Sequence, residues 1–292
     1  MNIVNKKTET VAAVVLTFNR EEMLKKVIYS MKNQTRKVDE IIVVFQGGAT
    51  TTVEWLKQEG GLYIHQQENQ GSAGGFTRGI EIAIEKGYDW VWITDDDAIP
   101  ELDALEHLTN CKYFDSETTG FLSSVVVNGQ GQTYMSPSPD DANKWYRTVL
   151  KEGCVPVTLS AWPGCLVSAK AVMDFGLPIA EYFFYDEDFE FTSRLARQRA
   201  SYCVINSVIV HYQEPSADLW LSPRRYKYFV RNRFATIRFS GSKKINKIAK
   251  VWLWVFKILG GILIGKIPVG AVVPMFRGLL FFRPKIKYPV RG

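Results

Sequence analysis

Three consecutive aspartates, Asp95, Asp96 and Asp97, close an apolar run over residues 88–94. A buried strand ending in such a cluster projects hard oxygen ligands at the edge of a sheet. Three unpaired like charges repel one another, and a counterion relieves that repulsion. Mg²⁺ and Mn²⁺ bind one or two carboxylates together with substrate phosphates. The cluster therefore points to chemistry on a nucleotide diphosphate; the plainer alternative is a solvated acidic turn with Asp97 or a neighbour capping a helix. A second acidic group, Asp186, Glu187, Asp188 and Glu190, is followed by Arg194. Helical spacing puts Glu187, Glu190 and Arg194 on one face and Asp188 on another. Tyr182, Phe183, Phe184, Tyr185 and Phe189 surround it in sequence, and an aromatic setting raises a carboxylate's proton affinity, as a general base requires. An ordinary acidic helix start reads equally well.

His211 closes the apolar stretch 208–210, 23 positions after Asp188, and is one of three histidines. It reads either as a structural hydrogen bonder or as a metal ligand beside the carboxylates. A third constellation runs from Glu68 to Gly79, with Gly71, Gly74 and Gly75 opening a helix and Arg78 one turn in. Backbone N–H groups at such a start can meet phosphate or ribose, and Arg78 can add a charge-assisted contact. It is neither GxGxxG nor a Walker A pattern, which excludes dinucleotide-binding and ATPase readings.

These residues need elements to position them. Strands are expected at 11–17, 41–45, 62–65 and 90–94, alternating with helices at 21–33, 51–59 and 73–86, the last ended by Gly87. This rhythm predicts a mainly parallel sheet flanked by helices, with ligands beyond the carboxyl ends of the strands. Thr17, Asn19, Arg20, Gln46 and the aspartates lie at such ends. Beyond Pro100 the pattern predicts a helix to about residue 114, a strand over 120–127, a hairpin signal at Asn128-Gly129, a loop over 136–143, a short helix capped by Ser168 and stopped by Gly176, a helix over 186–199 and strand up to His211.

The chain has 292 residues, 46% of them hydrophobic, enough for a sizeable core. Its four cysteines are scattered, so neither a zinc site nor a disulfide framework is expected. Lys6 and Lys7 precede an apolar run without a small-residue cleavage site, so no secretory leader is expected there. The formal charge of +6 conceals an asymmetry: from Leu219 onward there are 17 Lys and Arg and no acid, which leaves 19 basic against 30 acidic residues elsewhere. Such a tail implies an anionic partner. The apolar segments 251–259, 262–267 and 269–282 are broken by Lys257, Pro268, Pro274 and Arg277, too short for a spanning helix. Aromatic, basic, short helices of this kind suit the interface of an anionic bilayer; packing as a helical pair on the core is the alternative.

Taken together, the motifs resemble glycosyltransferase family 2, over roughly residues 11–240. The order is a strand ending in Thr17-Phe18-Asn19-Arg20, the aspartates at 95–97, the doublet Glu187-Asp188 and a late histidine. Residues 69–76 are similar to the glycine-rich stretch of galactofuranosyltransferases, and Tyr226 to Arg233, with Arg231-Asn232, resembles an element found after the catalytic domain both there and in rhamnosyltransferases. The resemblance implies a GT-A (Rossmann-like) domain over 1–240, and composition makes 241–292 a basic, hydrophobic membrane-associating region. It implies Mn²⁺ or Mg²⁺ on Asp95, Asp97 and His211, with Asp96 near the donor. Asp188 would be the catalytic base. Glu187 and Trp162 would face the acceptor, and Thr17, Asn19, Arg20, Gln46, Gly71, Gly74, Gly75 and Arg78 would line the nucleotide pocket. Gln46 stands where many members carry an aspartate that reads uracil.

The expected function is that of an inverting, metal-dependent hexosyltransferase. It would move galactofuranose from UDP-galactofuranose onto a polyprenyl-diphosphate-linked glycan, in surface polysaccharide assembly at the cytoplasmic face of a bacterial membrane. The partners are then a UDP-sugar, that acceptor and the anionic inner leaflet, with no nucleic acid and with homo-oligomerisation left open. A rhamnosyltransferase using dTDP-rhamnose is the near alternative. A non-catalytic sugar-nucleotide binder or a nucleic-acid binder is the alternative of another class.

Overall fold

The computed structural model describes residues 8–140, 142–212 and 219–290. Lys6 and Lys7, and Asp141 of the expected 136–143 loop, lie outside the described residues. The first half alternates as its periodicity predicts: β1 (Val11–Thr17), α1 (Glu21–Lys32), β2 (Glu40–Phe45), α2 (Thr50–Glu59), β3 (Leu62–Gln66), α3 (Gly71–Glu85) and β4 (Trp90–Asp95). There follow β5 (Ala98–Pro100), α4 (Ala104–Thr109), β6 (Thr119–Val127), β7 (Ser138–Pro139), α5 (Ala142–Glu152), β8 (Cys154–Leu159), β9 (Cys165–Ser168), α6 (Ala169–Phe175), α7 (Glu187–Ala196) and β10 (Ala200–His211).

The strand order is β3-β2-β1-β4-β9-β6-β10-β8-β7, with β5 against β10. β3, β2, β1 and β4 are parallel. β9 enters antiparallel to both β4 and β6, and β8 and β5 are antiparallel to β10. The sheet is therefore mixed where a mainly parallel one was expected: a parallel neighbour requires a crossover, and the short β9 follows directly from the loop after β8. Successive residues of β1 serve opposite faces. Ala13 and Val15 pack with Leu24, Ile28, Leu56 and Leu108, whereas Ala12 and Val14 pack with Phe76, Ile80, Val172 and Phe191.

Two expected elements differ. The helix after Pro100 is only α4, because Tyr113 and Phe114 leave helical geometry to stack on Tyr202 and Trp90, with ring centroids 3.7 and 4.9 Å apart. The expected 136–143 loop gives way to β7 and the start of α5. Ser168 caps α6 as read, its Oγ accepting from the Ala171 N–H at 3.0 Å, and Gly176 ends it at φ 94°.

Beyond residue 218 come α8 (Pro223–Phe239), α9 (Lys244–Leu263) and α10 (Val272–Phe276). They share an apolar cluster built on Tyr226, Val230, Phe234, Trp254, Ile258 and Met275. α9 runs through Lys257, Gly260 and Gly261; Ile267 packs where a side chain at 261 would sit. α8 joins the two parts, since its Ala235 packs with Ala73, Ile179 and Tyr182. Among the described residues no helix is long and apolar enough to cross a membrane. The outward side of α9 is nonetheless apolar: Trp252, Leu253, Phe256 and Leu263 are 53, 66, 65 and 87% exposed.

Candidate active site

Because β2, β1 and β4 are parallel and in register, with Thr17 opposite Phe45 and Leu16 opposite Asp95, their carboxyl ends meet at one edge. A cleft of about 340 Å³ opens there, lined by Phe18, Arg20, Asn69, Ser72, Asp95, Asp96 and Phe184 among others. The three aspartates have different surroundings. Asp96 is buried and accepts from Thr17 Oγ1 (2.8 Å), the Phe18 N–H (3.2 Å) and Arg20 Nη1 (3.2 Å). Burial is the largest influence on it and leaves its proton affinity raised despite these donors. Asp97 is brought to His211 by the β5–β10 ladder, which places Ala98 opposite His211. His211 Nε2 lies 3.1 Å from Asp97 Oδ1, and Arg20 Nη1 contacts Oδ2. Burial would raise Asp97, but His211 and Arg20 outweigh it and hold the carboxyl below its usual range. Asp95 faces the cleft with neither partner; burial first, then Asp97, pushes it up to about 7.

The second acidic group, at the start of α7, meets the wall of this cleft where Glu187 contacts the lining residue Ser72. The chain enters α7 through Phe183, Tyr185 and Asp186, all with positive φ (66°, 72° and 67°). Such backbone persists only when its surroundings hold it. Asn232, fully buried on α8, donates through Nδ2 to the carbonyls of Tyr182 (3.0 Å), Phe184 (2.8 Å) and Tyr185 (2.8 Å). Arg233 pairs with Asp186 at 2.9 Å. Glu187 is buried; its Oε1 accepts from Ser72 Oγ and, at 3.5 Å, from Trp162 Nε1, while Oε2 is buried without a partner. Burial pushes Glu187 up to about 7. Asp188 is raised well above the carboxylate range, by burial first and then by Glu187, Asp186 and Asp95. The predicted sharing of one helix face by Glu190 and Arg194 is realised as a buried pair at 2.9 Å.

Several expected ligand contacts are relocated. Trp162 is buried between Phe76 and Phe191, with ring centroids 5.0 and 5.6 Å away, so no face of its indole is left for a sugar. Its signal, a tryptophan beside Pro163-Gly164, fits a core residue equally well. Arg78 turns along α3 to Glu81 (2.7 Å) and Glu85 (3.1 Å), away from the cleft. Gly74 and Gly75 lie beneath it, where a Cβ would strike Gln70 and Leu16; Gly71, at φ +71°, lines the cleft with Phe183 O where its Cβ would be. Gln46 is buried, donating to Gly71 O at 2.9 Å and accepting from the Gln70 N–H at 2.7 Å, so its amide shapes the wall. Asn19 sits at φ 58° with its N–H on Gly47 O (3.3 Å). Ser72 lay unremarked within the Glu68 to Gly79 constellation, and Asn232 and Arg233 were visible only as part of a likeness, with no role legible.

Among the described residues no group of three His, Cys, Asp or Glu stands in metal-binding geometry. The donor chemistry nevertheless fits a hard cation. Asp95 is an under-compensated carboxylate, and beside it Asp97 and His211 are already in contact, with His211 Nδ1 buried and unpartnered. Arg20 takes the second oxygen of Asp97.

A nucleotide-sized cleft at the carboxyl edge of an α/β sheet, with acidic groups entering from two elements, has the GT-A-like architecture. Solved structures share it. Staphylococcus aureus TarS 1–349 in complex with UDP superposes with a TM-score of 0.62 at 15% identity, covering 93% of this chain and 81% of that one. GalNAc-T7 with UDP, GalNAc and Mn²⁺ gives 0.60 at 11% identity, covering 90% and 59%. The family model for glycosyl transferase family 2 matches residues 12–174, more than half of the chain, and the chain belongs to that family. Galactofuranosyltransferase GlfT1 of Mycobacterium tuberculosis is 30% identical over 200 residues, and its Mycolicibacterium smegmatis counterpart 28% over 202. Each match covers 65% of this chain and 66% of the relative.

Proposed function

We propose that this protein transfers galactofuranose from UDP-galactofuranose to a hydroxyl of a lipid-linked glycan, inverting the anomeric carbon, during surface polysaccharide assembly on the cytoplasmic face of a bacterial membrane. One observation carries the reading: Glu187, next to Asp188 at the start of α7, accepts from Ser72, which lines the same cleft as Asp95 and Asp96. A base and a diphosphate site are thereby juxtaposed. Asp188 takes the acceptor hydroxyl's proton as that oxygen attacks the anomeric carbon, and the bond to the diphosphate breaks with its electrons leaving on UDP. Its raised proton affinity, caused first by burial, matches a group that accepts a proton during the reaction. Arg20, which lines the cleft beside Asp96 and Asp97, is the cation that meets the diphosphate. Asp95, Asp97 and His211 would hold Mn²⁺ or Mg²⁺, which supplies charge neutralisation for the departing diphosphate. Glu187, with its unpartnered oxygen, is the acceptor-side acceptor of hydrogen bonds.

The mycobacterial relatives favour galactofuranose as the donor sugar, and the UDP complexes among the structural neighbours favour uridine. The exposed apolar side of α9, in a region with 17 basic and no acidic residues, supports docking on an anionic bilayer, where a lipid-linked acceptor resides. The test is release of free nucleoside diphosphate from a panel of nucleotide sugars with Mn²⁺ and a lipid-linked acceptor. UDP-galactofuranose should be turned over best; preferential turnover of dTDP-rhamnose, or of none, refutes the assignment.

A further inference from the structure

A second concavity, of about 380 Å³, lies between α8 and α9 and is built differently from the catalytic cleft. Arg233 and Ile237 of α8, with Ser240 just past its end, form one wall; Lys250, Trp254 and Lys257, at positions i, i+4 and i+7 of α9, form the other. Ile237 and Trp254 belong to the apolar cluster of this unit, and the indole is fixed by its N–H donating to Val230 O at 3.3 Å. The rim is cationic. Lys257 lies 5.6 Å from the Trp254 ring centroid, and Lys250 donates to Ser242 Oγ at 2.9 Å. No acid occurs from Leu219 to the C-terminus, so neither lysine has a carboxylate of its own unit to pair with. Arg233 alone reaches one, Asp186, at 2.9 Å.

The groove is continuous with the apolar side of α9: Leu253 lines it and is 66% exposed, next to Trp252 and Phe256. Cations above an apolar floor, opening beside an exposed apolar face, complement a molecule with an anionic head and hydrocarbon tails. A bare anion would leave the floor unused, and an acidic peptide would leave the α9 face in water. We propose that this groove binds the phosphate headgroup of an anionic membrane phospholipid, with the acyl chains lying along Leu253 and Phe256. This rests on the membrane-docking reading above and goes beyond it by naming the seat of one lipid. Lys250 and Lys257 hold the phosphate; Arg233, also lining the groove, is tied through Asp186 to the start of α7, which carries Glu187 and Asp188.

The test is sedimentation of the full chain with phosphatidylcholine vesicles, with and without phosphatidylglycerol. Lys250→Gln/Lys257→Gln should lower affinity for the anionic vesicles about 30-fold. Lys243→Gln/Lys244→Gln, an equal charge change at the exposed start of α9 outside the groove, should lower it at least several-fold less. If the wild type binds both vesicles equally poorly, the docking reading itself fails. If it binds anionic vesicles and both pairs weaken it equally, docking stands and the groove is refuted. Calorimetry with short-chain phosphatidylglycerol below its micellar concentration separates the sources of phosphate. The lipid should bind the wild type, lose binding in the groove pair and resist displacement by inorganic phosphate. Displacement by inorganic phosphate would show a bare anion site and overturn the lipid assignment.

Discussion

Asn232→Ala is the perturbation whose size the structure allows to be worked out. The side chain serves three buried carbonyls at 2.8–3.0 Å, and those carbonyls belong to the loop in which Phe183, Tyr185 and Asp186 have positive φ. Two N–H groups shared among three acceptors are worth about 2–3 kcal/mol net, at roughly 1 kcal/mol per hydrogen bond. Each non-glycine residue held in the left-handed region stores about 1–3 kcal/mol that the loop regains by relaxing. Release is therefore favoured once the amide is gone, and α7 loses the entry angle that presents Glu187 and Asp188. At 1.36 kcal/mol per decade, ~3 kcal/mol of lost preorganisation lowers kcat about 10²-fold. The donor KM should change less, because Arg20, Asp95 and Asp96 are positioned by β1 and β4 and make no contact with Asn232. Steady-state kinetics with a thermal melt separates the two effects: Tm should fall by about 5–10 °C while the protein stays folded at assay temperature. A folded Asn232→Ala enzyme with kcat within a few-fold of wild type would show that the loop holds itself.

Other outcomes follow from the same geometry. Gly71→Ala places a Cβ 1.9 Å from Phe183 O at φ +71°; it should displace the 183–186 loop and cost about as much activity as Asn232→Ala, and normal kinetics would refute that close approach. Asp95 is raised from 3.8 to about 7, so the folded state binds its proton more tightly than the unfolded state does, and the group costs stability progressively as pH rises from about 4 to 7. Asp95→Asn should therefore raise Tm at pH values above that window and much less at its acid end; an equal gain throughout contradicts the shift. Mn²⁺ should raise the Tm of the wild type and not of Asp97→Ala, and chelator should reverse the gain; an unchanged response in the variant removes Asp97 from the ligand set.

The parallel half of the fold was legible because its signals are local. The apolar runs of β1, β2 and β4 and the i, i+3, i+4 pattern of Leu24, Val27, Ile28 and Met31 each fix an element and its buried face without reference to the rest. The aspartates at the end of β4 were legible for the same reason. What sequence could not supply is partnership across long separations. Whether Arg78 turns to a phosphate or to Glu81 depends on a rotamer, and Trp162 beside a glycine fits a sugar platform or a core. The antiparallel entry of β9 depends on the sheet edge available to it. Asn232 acquires meaning only when its 47- to 50-residue separation from the 182–185 loop is closed.

The most direct measurement is a single-turnover comparison of wild type and Asp188→Asn, with donor binding measured separately. Removing the proton acceptor while keeping its shape should reduce sugar transfer by about 10²–10⁴-fold and leave UDP affinity in the presence of Mn²⁺ intact, because the proposed nucleotide site is on the β1–β4 side of the cleft. Transfer at the wild-type rate by Asp188→Asn would mean that another group activates the acceptor, and that the meeting of the two acidic clusters serves something other than this reaction.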